Sequence, residues 1–408
     1  MEYIKLQNAD FEIPKLSLGT WAFSGAKIWG ANEEKDSIDT IHAALDAGIT
    51  LLDTAEKYGD GKSEEVLGKA VKDRRDKAIV ATKVYSDCLH YDDVIAHCEA
   101  SLKRLDTDYI DLYQIHWPNP EIPQEETFRA FEKLKQDGKV RSVGVCNYAQ
   151  KGLEEIKDYG AVTNQLPYSL IWRLVEKGIV QKSKENGIAV WAYSPLAQGL
   201  LTGKFRSIDD VPMGRRETRF YSGKWQQGRH NDVGFEKEIF AFLDVFADLC
   251  TETGYPMATL ALAFLKNADG VGSILMGARN VGQLEQNLNA FNTDVPDDVI
   301  RQITDLSEGL KAAMGDNADL WENRNGYKSK PLRLHSKRPG RISCPAFLAI
   351  QSPILWDSAQ RPPNGKRLPA KGRPCSFHRE HSAWCGCRTN LQAGIQSADN
   401  SRHDPTIR

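Results

Sequence analysis

The feature that most constrains the fold of this chain is the regular alternation of short apolar runs with longer segments of helical periodicity. Eight runs are rich in apolar and β-branched residues, and they lie at residues 14–19, 49–53, 77–83, 109–116, 140–147, 161–165, 188–193 and 271–276. Runs this apolar are typical of strands covered on both faces, as in a parallel sheet. Eight strand–helix repeats with short connections therefore predict an α/β fold, a closed (β/α)8 or TIM barrel rather than an open doubly wound sheet.

The two ends of the chain do not follow this alternation. Residues 3–12, before the first repeat, predict an N-terminal β-hairpin that closes the bottom of the barrel. From Pro331 onward the chain carries 13 basic and 4 acidic residues and 9 of its 18 prolines, whereas the part before Pro331 carries 40 basic and 51 acidic residues. We therefore predict that residues 1–328 form the barrel and that residues 329–408 form a basic, proline-rich, disordered tail.

The composition excludes several classes of protein. A net charge of -2 argues against nucleic acid or an anionic membrane as the main partner. No stretch approaches the roughly 20 consecutive apolar residues of a membrane span, and residues 1–7 lack the pattern of a secretory signal. The four cysteines before Pro331 lack C-x-x-C spacing, which predicts free thiols and a cytoplasmic location. The cysteines and histidines of residues 375–387 match no known finger pattern, so no metal site is predicted.

Polar side chains follow six consecutive predicted strands. They are Asp53, Lys83, His116, Asn147, Gln165 and Tyr193, one at the end of each of strands two to seven. Because the C-terminal ends of barrel strands meet at one mouth, these side chains are expected to share a pocket. A lone aspartate at a strand end is more often a helix cap, and a lone lysine is more often a surface residue. Six such groups at one mouth favour a functional site.

The residue types at this mouth suggest acid–base chemistry centred on a tyrosine. Tyr58 lies five residues beyond Asp53, and free tyrosine has a pKa of about 10, too high for ready proton exchange near neutrality. A nearby cation such as Lys83 is expected to lower the pKa of Tyr58, and Asp53 can keep Lys83 charged. His116 can donate or accept a hydrogen bond beside the same oxygen. The long segment 200–233, rich in glycine, arginine and aromatic residues, is expected at the same mouth.

Six segments of the chain resemble the aldo-keto reductase superfamily in the order and spacing of its motifs. They read LLDTAEKYGDGKSEEVLGKA, IVATK, SLKRLDTDYIDLYQIHWP, GKVRSVGVCNY, AYSPLAQGLLTGK and GARNVGQLEQN. The resemblance extends from about residue 3 to residue 310 and is similar in particular to the bacterial and plant branch that includes stress-protein-like members. The chain departs from the common Ser-Asn-Phe of the family at Cys146-Asn147-Tyr148, where Cys146 is interpreted as a buried small side chain.

The resemblance implies a reaction and a role for each residue of the predicted site. It implies reduction of an aldehyde or ketone, reversibly as oxidation of an alcohol, by hydride from C4 of a nicotinamide cofactor, NADPH/NADP+. Tyr58 matches the general acid, Lys83 and Asp53 the pair that tunes it, and His116 the residue that orients the carbonyl. The substrate-binding residues implied are Trp21, Tyr58, His116 and Trp117.

The same resemblance implies where the cofactor binds. Asn147 and Gln165 match the residues that hydrogen-bond the nicotinamide amide, and Tyr193 matches the ring stacked against it. The full set of cofactor-binding residues is Gly19, Thr20, Trp21, Asp53, Asn147, Gln165, Tyr193, Ser194, Pro195, Leu196, Leu200, Gly203, Lys204, Gly277, Ala278, Arg279, Gln283 and Asn287. Arg279, at the start of a predicted helix, can pair with a 2′-phosphate, which favours NADPH over NADH.

Two other functions remain open at this level. A protein of this fold can be an NADPH-binding regulatory subunit of a channel-type complex, in which the same four residues are retained. Such a subunit is expected to carry an N-terminal extension or a stable tetramer surface, and here the hairpin begins at Tyr3, so an enzyme is favoured. A barrel that isomerises or eliminates without a cofactor is the third possibility. Neither the physiological substrate nor the oligomeric state follows from the sequence.

Overall fold

A computed structural model describes residues 1–25, 30, 32–225 and 228–322 of the chain. Its centre is a closed barrel of eight parallel strands, which confirms the predicted fold class. The predicted tail, residues 329–408, lies outside the described residues. Within the described ranges, no helix combines the length and the apolar character needed to cross a membrane.

The barrel strands follow one another around the barrel in chain order. They are β3 (Leu16–Gly19), β4 (Leu51–Asp53), β5 (Ile79–Val84), β6 (Ile110–Ile115), β7 (Val140–Cys146), β8 (Thr163–Pro167), β9 (Ala189–Tyr193) and β10 (Val271–Gly277). The barrel closes where β10 pairs with β3, with Gly277 opposite Gly19. β4, β6 and β8 are buried along their whole length, as expected for strands with a packed interior on one face and helices on the other.

Ten α-helices, counted over the described residues, surround or extend this barrel. They are α1 (Glu34–Asp46), α2 (Lys62–Val71), α3 (Tyr91–Leu105), α4 (Gln124–Gln136), α5 (Gln150–Glu155), α6 (Ile179–Glu185), α7 (Glu236–Thr253), α8 (Met257–Asn267), α9 (Val281–Asn292) and α10 (Asp297–Ala313). α6 is preceded by a 3-10 turn, Leu174–Glu176, and Gly178, in a left-handed conformation, separates the two.

The predicted N-terminal hairpin is confirmed and closes the bottom of the barrel. Its strands, β1 (Tyr3–Lys5) and β2 (Glu12–Pro14), pair antiparallel. Leu6 and Ile13 are buried and form one apolar cluster with residues inside the barrel, including Leu112 and Trp191. The barrel interior is therefore filled from below, and its open mouth lies at the opposite, C-terminal ends of the strands.

α7 was not predicted from the alternation of strands and helices, although its own sequence has the periodicity of a helix. It follows the long connection after β9 and buries Ile239, Phe242, Leu243 and Phe246 on one face. These positions are three or four residues apart, which is the spacing of an amphipathic helix. The apolar spacing of α7 can be seen in the sequence. However, an eight-repeat barrel needs one helix between β9 and β10, and α7 is a second helix in that connection.

Candidate active site

Four side chains meet at the mouth of the barrel, and each is positioned by the end of a strand or by the loop that follows it. Asp53 is the last residue of β4, Lys83 lies near the end of β5, and His116 directly follows β6. Tyr58 lies in the connection between β4 and α2, which turns back across the mouth. Asp53 and Lys83 are 1% and 0% exposed, so their charges are fully removed from water.

Lys83 is the centre of this group. Its Nζ donates to Asp53 Oδ2 at 2.7 Å and to the carbonyl oxygen of Thr54 at 2.7 Å. The same Nζ lies 3.4 Å from the hydroxyl oxygen of Tyr58. The other carboxylate oxygen of Asp53 accepts a hydrogen bond from Gln165 Nε2 at 2.9 Å. The buried cation therefore has a fixed counter-ion on one side and a tyrosine hydroxyl on the other.

The protonation of Tyr58 differs from the sequence-based expectation. Burial raises the pKa of Tyr58 to about 12, and the nearby Lys83 charge only partly offsets that rise. The expected lowering of the tyrosine pKa by Lys83 is thus present but outweighed, because desolvation of the phenolate is the larger effect. Burial disfavours the charge on Lys83, but Asp53 and Tyr58 together hold the pKa of Lys83 above its usual value. At neutral pH the pair is therefore a protonated tyrosine beside a charged lysine.

His116 faces the same tyrosine as a neutral ring. The rings of Tyr58 and His116 meet edge to face with centroids 5.7 Å apart. Burial, together with the positive charges of Lys83 and Lys57, holds the pKa of His116 well below its usual value. Its buried Nδ1 has no hydrogen-bond partner among the residues that the structure describes. A neutral imidazole of this kind can hydrogen-bond a substrate oxygen without contributing a charge.

The residues predicted to hold a nicotinamide ring lie beside this group. Asn147 Nδ2 donates to the carbonyl oxygen of His116 at 3.1 Å, and Asn147 Oδ1 accepts from the Tyr193 hydroxyl at 3.0 Å. Asn147 has a φ of 63°, a left-handed conformation that asparagine tolerates better than most residues.

Gln114 is a residue of the site that was not predicted from the sequence. It is fully buried inside the barrel, and its Nε2 lies 3.5 Å from Asp53 Oδ1. The one signal in the sequence is that Gln114 occupies a position of β6 that alternation places on the inner face of the barrel.

A group of cations lies on the rim of the mouth, around the connection that follows β9. Burial and the charge of Arg279 lower the pKa of Arg215, and burial and the charge of Arg215 lower the pKa of Lys204. Lys204 passes over Gly199, where an added Cβ would lie 2.5 Å from its Nζ. Repulsion between neighbouring cations is reduced when an anion binds between them, so such a group favours anion binding. Lys204 and Arg279 were predicted from the sequence, whereas Arg215, which lies in the segment 200–233, was not.

The remaining predicted cofactor residues fall into two groups. Gln283 accepts a hydrogen bond from the backbone N–H of Arg279 at 3.0 Å, and Asn287 Nδ2 donates to the carbonyl oxygen of Gly277 at 3.1 Å. These two side chains hold the 277–279 turn against α9. Others are buried in the core, where Leu200 and Ala278 are each 1% exposed. Thr20 is also buried, where it bonds Ser63 and the carbonyl oxygen of Asp53.

Aromatic side chains form one wall of the mouth. Trp21 is stacked on Tyr58 with centroids 5.8 Å apart and meets Trp321 at 5.9 Å. Trp321 was not predicted from the sequence, and its Nε1 donates to the Tyr193 hydroxyl at 2.9 Å. Trp117, the other predicted wall residue, is half-buried next to His116 and packs against the core.

The segment that carries Trp321 is held in place by residues of the connections after β8 and after β9. Arg219 Nη1 donates to the carbonyl oxygens of Asn317 and Asp319, each at 2.7 Å, and Trp172 Nε1 donates to that of Ala318 at 3.0 Å. The segment 315–322, which follows α10, is therefore clamped beside the mouth. Nothing in the local pattern of that segment indicates this, because the partners lie about 100 residues away or more.

Comparison with known proteins gives a consistent result along the barrel. A sequence model of the Aldo/keto reductase family matches residues 15–308. The chain is 39% identical to the aldo-keto reductase YhdN of Bacillus subtilis over 304 residues, which are 70% of this chain and 87% of that protein. It is 32% identical to the NADH-specific methylglyoxal reductase of Escherichia coli over 340 residues, which are 76% of this chain and all of that protein.

The fold is also similar to that of solved aldo-keto reductases. One is the enzyme of Klebsiella pneumoniae in complex with NADP and acetate, with 28% identity and a TM-score of 0.58. The alignment covers 74% of this chain and 95% of that one. The family match, residues 15–308, contains all eight barrel strands.

Proposed function

The chain belongs to the aldo/keto reductase family, and from this premise we propose that it is an NADPH-dependent reductase of aldehydes or ketones, reversible as an alcohol dehydrogenase. Members of this family are oxidoreductases that act on carbonyl and alcohol groups. The observation that carries the proposal is the position of the Tyr58 hydroxyl, 3.4 Å from Lys83 Nζ and beside the neutral ring of His116. We also propose a cytoplasmic location, since the four cysteines of the described part are free thiols.

Each of the four residues has a role in this proposal. When bound, the nicotinamide cofactor supplies the hydride that reduces the carbonyl carbon. Tyr58, protonated at neutral pH because its pKa is about 12, donates a proton to the carbonyl oxygen. The charge of Lys83 stabilises the tyrosinate that remains, and Asp53 keeps Lys83 charged and in position. His116, neutral under the same conditions, orients the carbonyl oxygen toward the Tyr58 hydroxyl.

The residues at the mouth fit such a cofactor. Asn147, Gln165 and Tyr193 form a connected polar surface next to Asp53, suited to the amide of a nicotinamide. Lys204 and Arg215 lie on the rim, where burial and a neighbouring cation lower the pKa of each, Arg215 acting on Lys204 and Arg279 on Arg215, and the phosphates of a dinucleotide would offset that repulsion. The test is a screen of reduced-nicotinamide consumption over aldoses, aliphatic and aromatic aldehydes, ketones and sugar phosphates. No consumption with any of them would overturn the proposed activity.

The choice between NADPH and NADH is proposed to depend on Arg279. This choice differs among relatives, since one is described as NADH-specific and a solved structure contains NADP. Arg279 lies two residues before α9, where its guanidinium and the N-terminus of the helix together favour the additional anion of a 2′-phosphate. Gln283 fixes the backbone of Arg279 at this position.

Replacing Arg279 with alanine is expected to weaken NADPH binding by about 10-fold or more, because a charge-assisted hydrogen bond contributes about 1.5–3 kcal/mol. The Kd for NADH should change much less, because NADH carries no 2′-phosphate. Fluorescence titration with each cofactor measures both values. Arg301→Ala, which removes an exposed arginine of α10, is the matched control and should leave both constants unchanged. Equal weakening of NADPH and NADH by Arg279→Ala would remove the 2′-phosphate assignment.

We further propose that residues 1–328 carry the whole activity. A chain that ends at Lys328 keeps the clamped segment 315–322 and is expected to retain its Tm and its kcat/KM. A chain that ends at Met314 lacks Trp321 and the contacts of Arg219 with that segment, so a markedly lower Tm is expected. Thermal unfolding and steady-state kinetics of the two chains measure the difference. An unfolded or inactive chain ending at Lys328 would show that residues 329–408 are structural.

A further inference from the structure

Glu56 is a buried carboxylate that lies two residues before Tyr58 and has no part in the proposed proton transfer. It is 8% exposed and has two partners. Its Oε1 accepts a hydrogen bond from the backbone N–H of Tyr85 at 2.9 Å, and its Oε2 lies 2.6 Å from His97 Nδ1. Tyr85 directly follows β5, the strand that carries Lys83. Glu56 therefore joins the loop of Tyr58 to the strand of Lys83.

Tyr85 also extends this connection toward the substrate side of the mouth. Its ring meets the ring of His116 edge to face with centroids 5.9 Å apart. The Nζ of Lys57 lies 5.0 Å from the centroid of the same ring. A shift of Glu56 relative to Tyr85 would thus displace Tyr58, His116 and Lys83 relative to one another. Displacements of about 1 Å at reacting groups can lower a rate by as much as 100-fold.

His97, the second partner of Glu56, is a titratable side chain. It lies on α3, its side chain is 30% exposed, and protons from solvent can reach it. The hydrogen bond with Glu56 raises the pKa of His97 above its usual 6.5, and burial opposes that rise. The charged groups that face the pair are Asp93 on α3, which also raises this pKa, and Lys57 on the loop of Glu56, which lowers it. From β6 the pair is faced by Tyr113, whose own pKa is raised by burial and by Glu56, so it stays neutral.

We infer that Glu56 and His97 are a positioning pair for Tyr58, and that the charge of His97 is transmitted through Glu56 to the rate of carbonyl reduction. The inference rests on the proposed function, because Tyr58 must be the proton donor for its position to limit the rate. Below the pKa of His97 the pair is charged and the loop is held. As the pH rises through that pKa the charge of His97 is lost, the attraction weakens, and kcat decreases.

Tyr58, Lys83 and His116 do not produce such a change in the same pH range. The pKa of Tyr58 is about 12, that of Lys83 is above 10.5, and that of His116 is well below 6.5. A decrease in kcat above pH 6.5 and below the pH range in which Lys83 and Tyr58 titrate therefore requires another group. His97, whose pKa is raised above 6.5 and whose partner Glu56 lies in the loop of Tyr58, is the group that the geometry provides.

The decisive experiment is the pH profile of kcat for the wild type and for His97→Gln, with saturating NADPH and a substrate from the carbonyl screen. Glutamine can still donate to Glu56 but carries no charge. We expect kcat of the wild type to fall by about two- to fivefold above pH 6.5. We expect His97→Gln to be constant over that range, near the high-pH value of the wild type. A decrease that persists unchanged in His97→Gln, or its absence in the wild type, overturns the inference.

His90 provides a matched control. It lies at the start of α3, its Nδ1 is 3.2 Å from Glu126 Oε1, and that oxygen also accepts from the backbone N–H of Tyr91 at 3.0 Å. The arrangement repeats that of Glu56, His97 and Tyr85 at a more exposed position, and its two contacts join the start of α3 to α4 rather than to the Tyr58 loop. His90→Gln should therefore keep the pH profile of the wild type. A profile altered to the same extent in both variants would overturn the specific role of His97.

A second measurement separates this inference from the proposed function. The imidazole resonances of His97 can be titrated by NMR in the cofactor-free protein, without any substrate. We expect a pKa above that of an unperturbed histidine, and a return toward 6.5 in Glu56→Gln. A wild-type enzyme that reduces no carbonyl would overturn the proposed function and, with it, the effect of His97 on the rate, whereas an unperturbed His97 in an active enzyme would overturn only the positioning pair.

Discussion

Replacing Tyr58 with phenylalanine is expected to lower kcat for carbonyl reduction by about 10²- to 10⁴-fold, the usual contribution of a positioned general acid. The substitution removes the hydroxyl that lies 3.4 Å from Lys83 Nζ and keeps the ring that stacks on Trp21. The Kd of NADPH should remain nearly unchanged, because the cofactor is proposed to bind through Asn147, Gln165 and the rim cations. Steady-state kinetics and fluorescence titration of the same preparation measure the two quantities.

Tyr113→Phe is the matched control for Tyr58→Phe. Tyr113 is a fully buried tyrosine of β6, and its hydroxyl has no hydrogen-bond partner within the described part of the chain. Its ring packs against Phe131 outside the barrel rather than at the mouth. Removal of this hydroxyl should leave kcat as in the wild type. Loss of cofactor binding rather than of turnover in Tyr58→Phe would contradict the assignment of Tyr58 as the acid.

Replacing Lys83 with methionine is expected to remove most of the activity and about 3–5 kcal/mol of the free energy of unfolding. The variant leaves the Asp53 carboxylate, 1% exposed, without a counter-ion, and Gln165 and Gln114 are its remaining side-chain donors among the described residues. The carboxylate then carries an uncompensated charge in a site that water does not reach, and this charge accounts for the lost stability. Urea unfolding of the wild type and of the variant measures the difference.

Two further variants test whether the loss in Lys83→Met comes from the buried charge. The double variant Asp53→Asn/Lys83→Met has neither charge and should be more stable than Lys83→Met alone. Substitutions at residues in direct contact do not have additive effects on the free energy of unfolding. Lys184→Met breaks the exposed pair of Lys184 with Asp269 and should change the free energy of unfolding by about 0.5 kcal/mol or less. Additive losses in the double variant would show that the two charges are not coupled.

The protonation of Tyr58 shows why a correct set of residues can still lead to an incorrect electrostatic expectation. The presence of Lys83 at the next strand end was readable from the sequence, and a cation was expected to lower the tyrosine pKa. The extent of burial was not readable, because Trp21, His116 and the loop itself come from separate parts of the chain. Desolvation outweighs the cation and leaves a protonated acid, which suits the reducing direction.

The residues that sequence reasoning missed share one property, which is that their partners are distant in the chain. Trp321 reaches Tyr193 across 128 positions, and Arg219 holds the backbone of Asn317 from 98 positions away. Arg215 lies in an irregular connection, where no period relates sequence position to direction. Glu56 is a neighbour of Tyr58 in the sequence, but its partner His97 is 41 residues away. Such contacts depend on how loops from different repeats fold over one mouth.

By itself, the sequence determined the closed barrel, the hairpin beneath it and the presence of Asp53, Lys83 and His116 at one mouth. The physical reason is that strand and helix periodicities are local, and parallel strands in a barrel bring their C-terminal ends together. Only the tertiary structure decided where the Tyr58 hydroxyl points, that it stays protonated, and that Glu56 and His97 join its loop to the strand of Lys83. These properties depend on distances and on the exclusion of water, which arise when the repeats have packed.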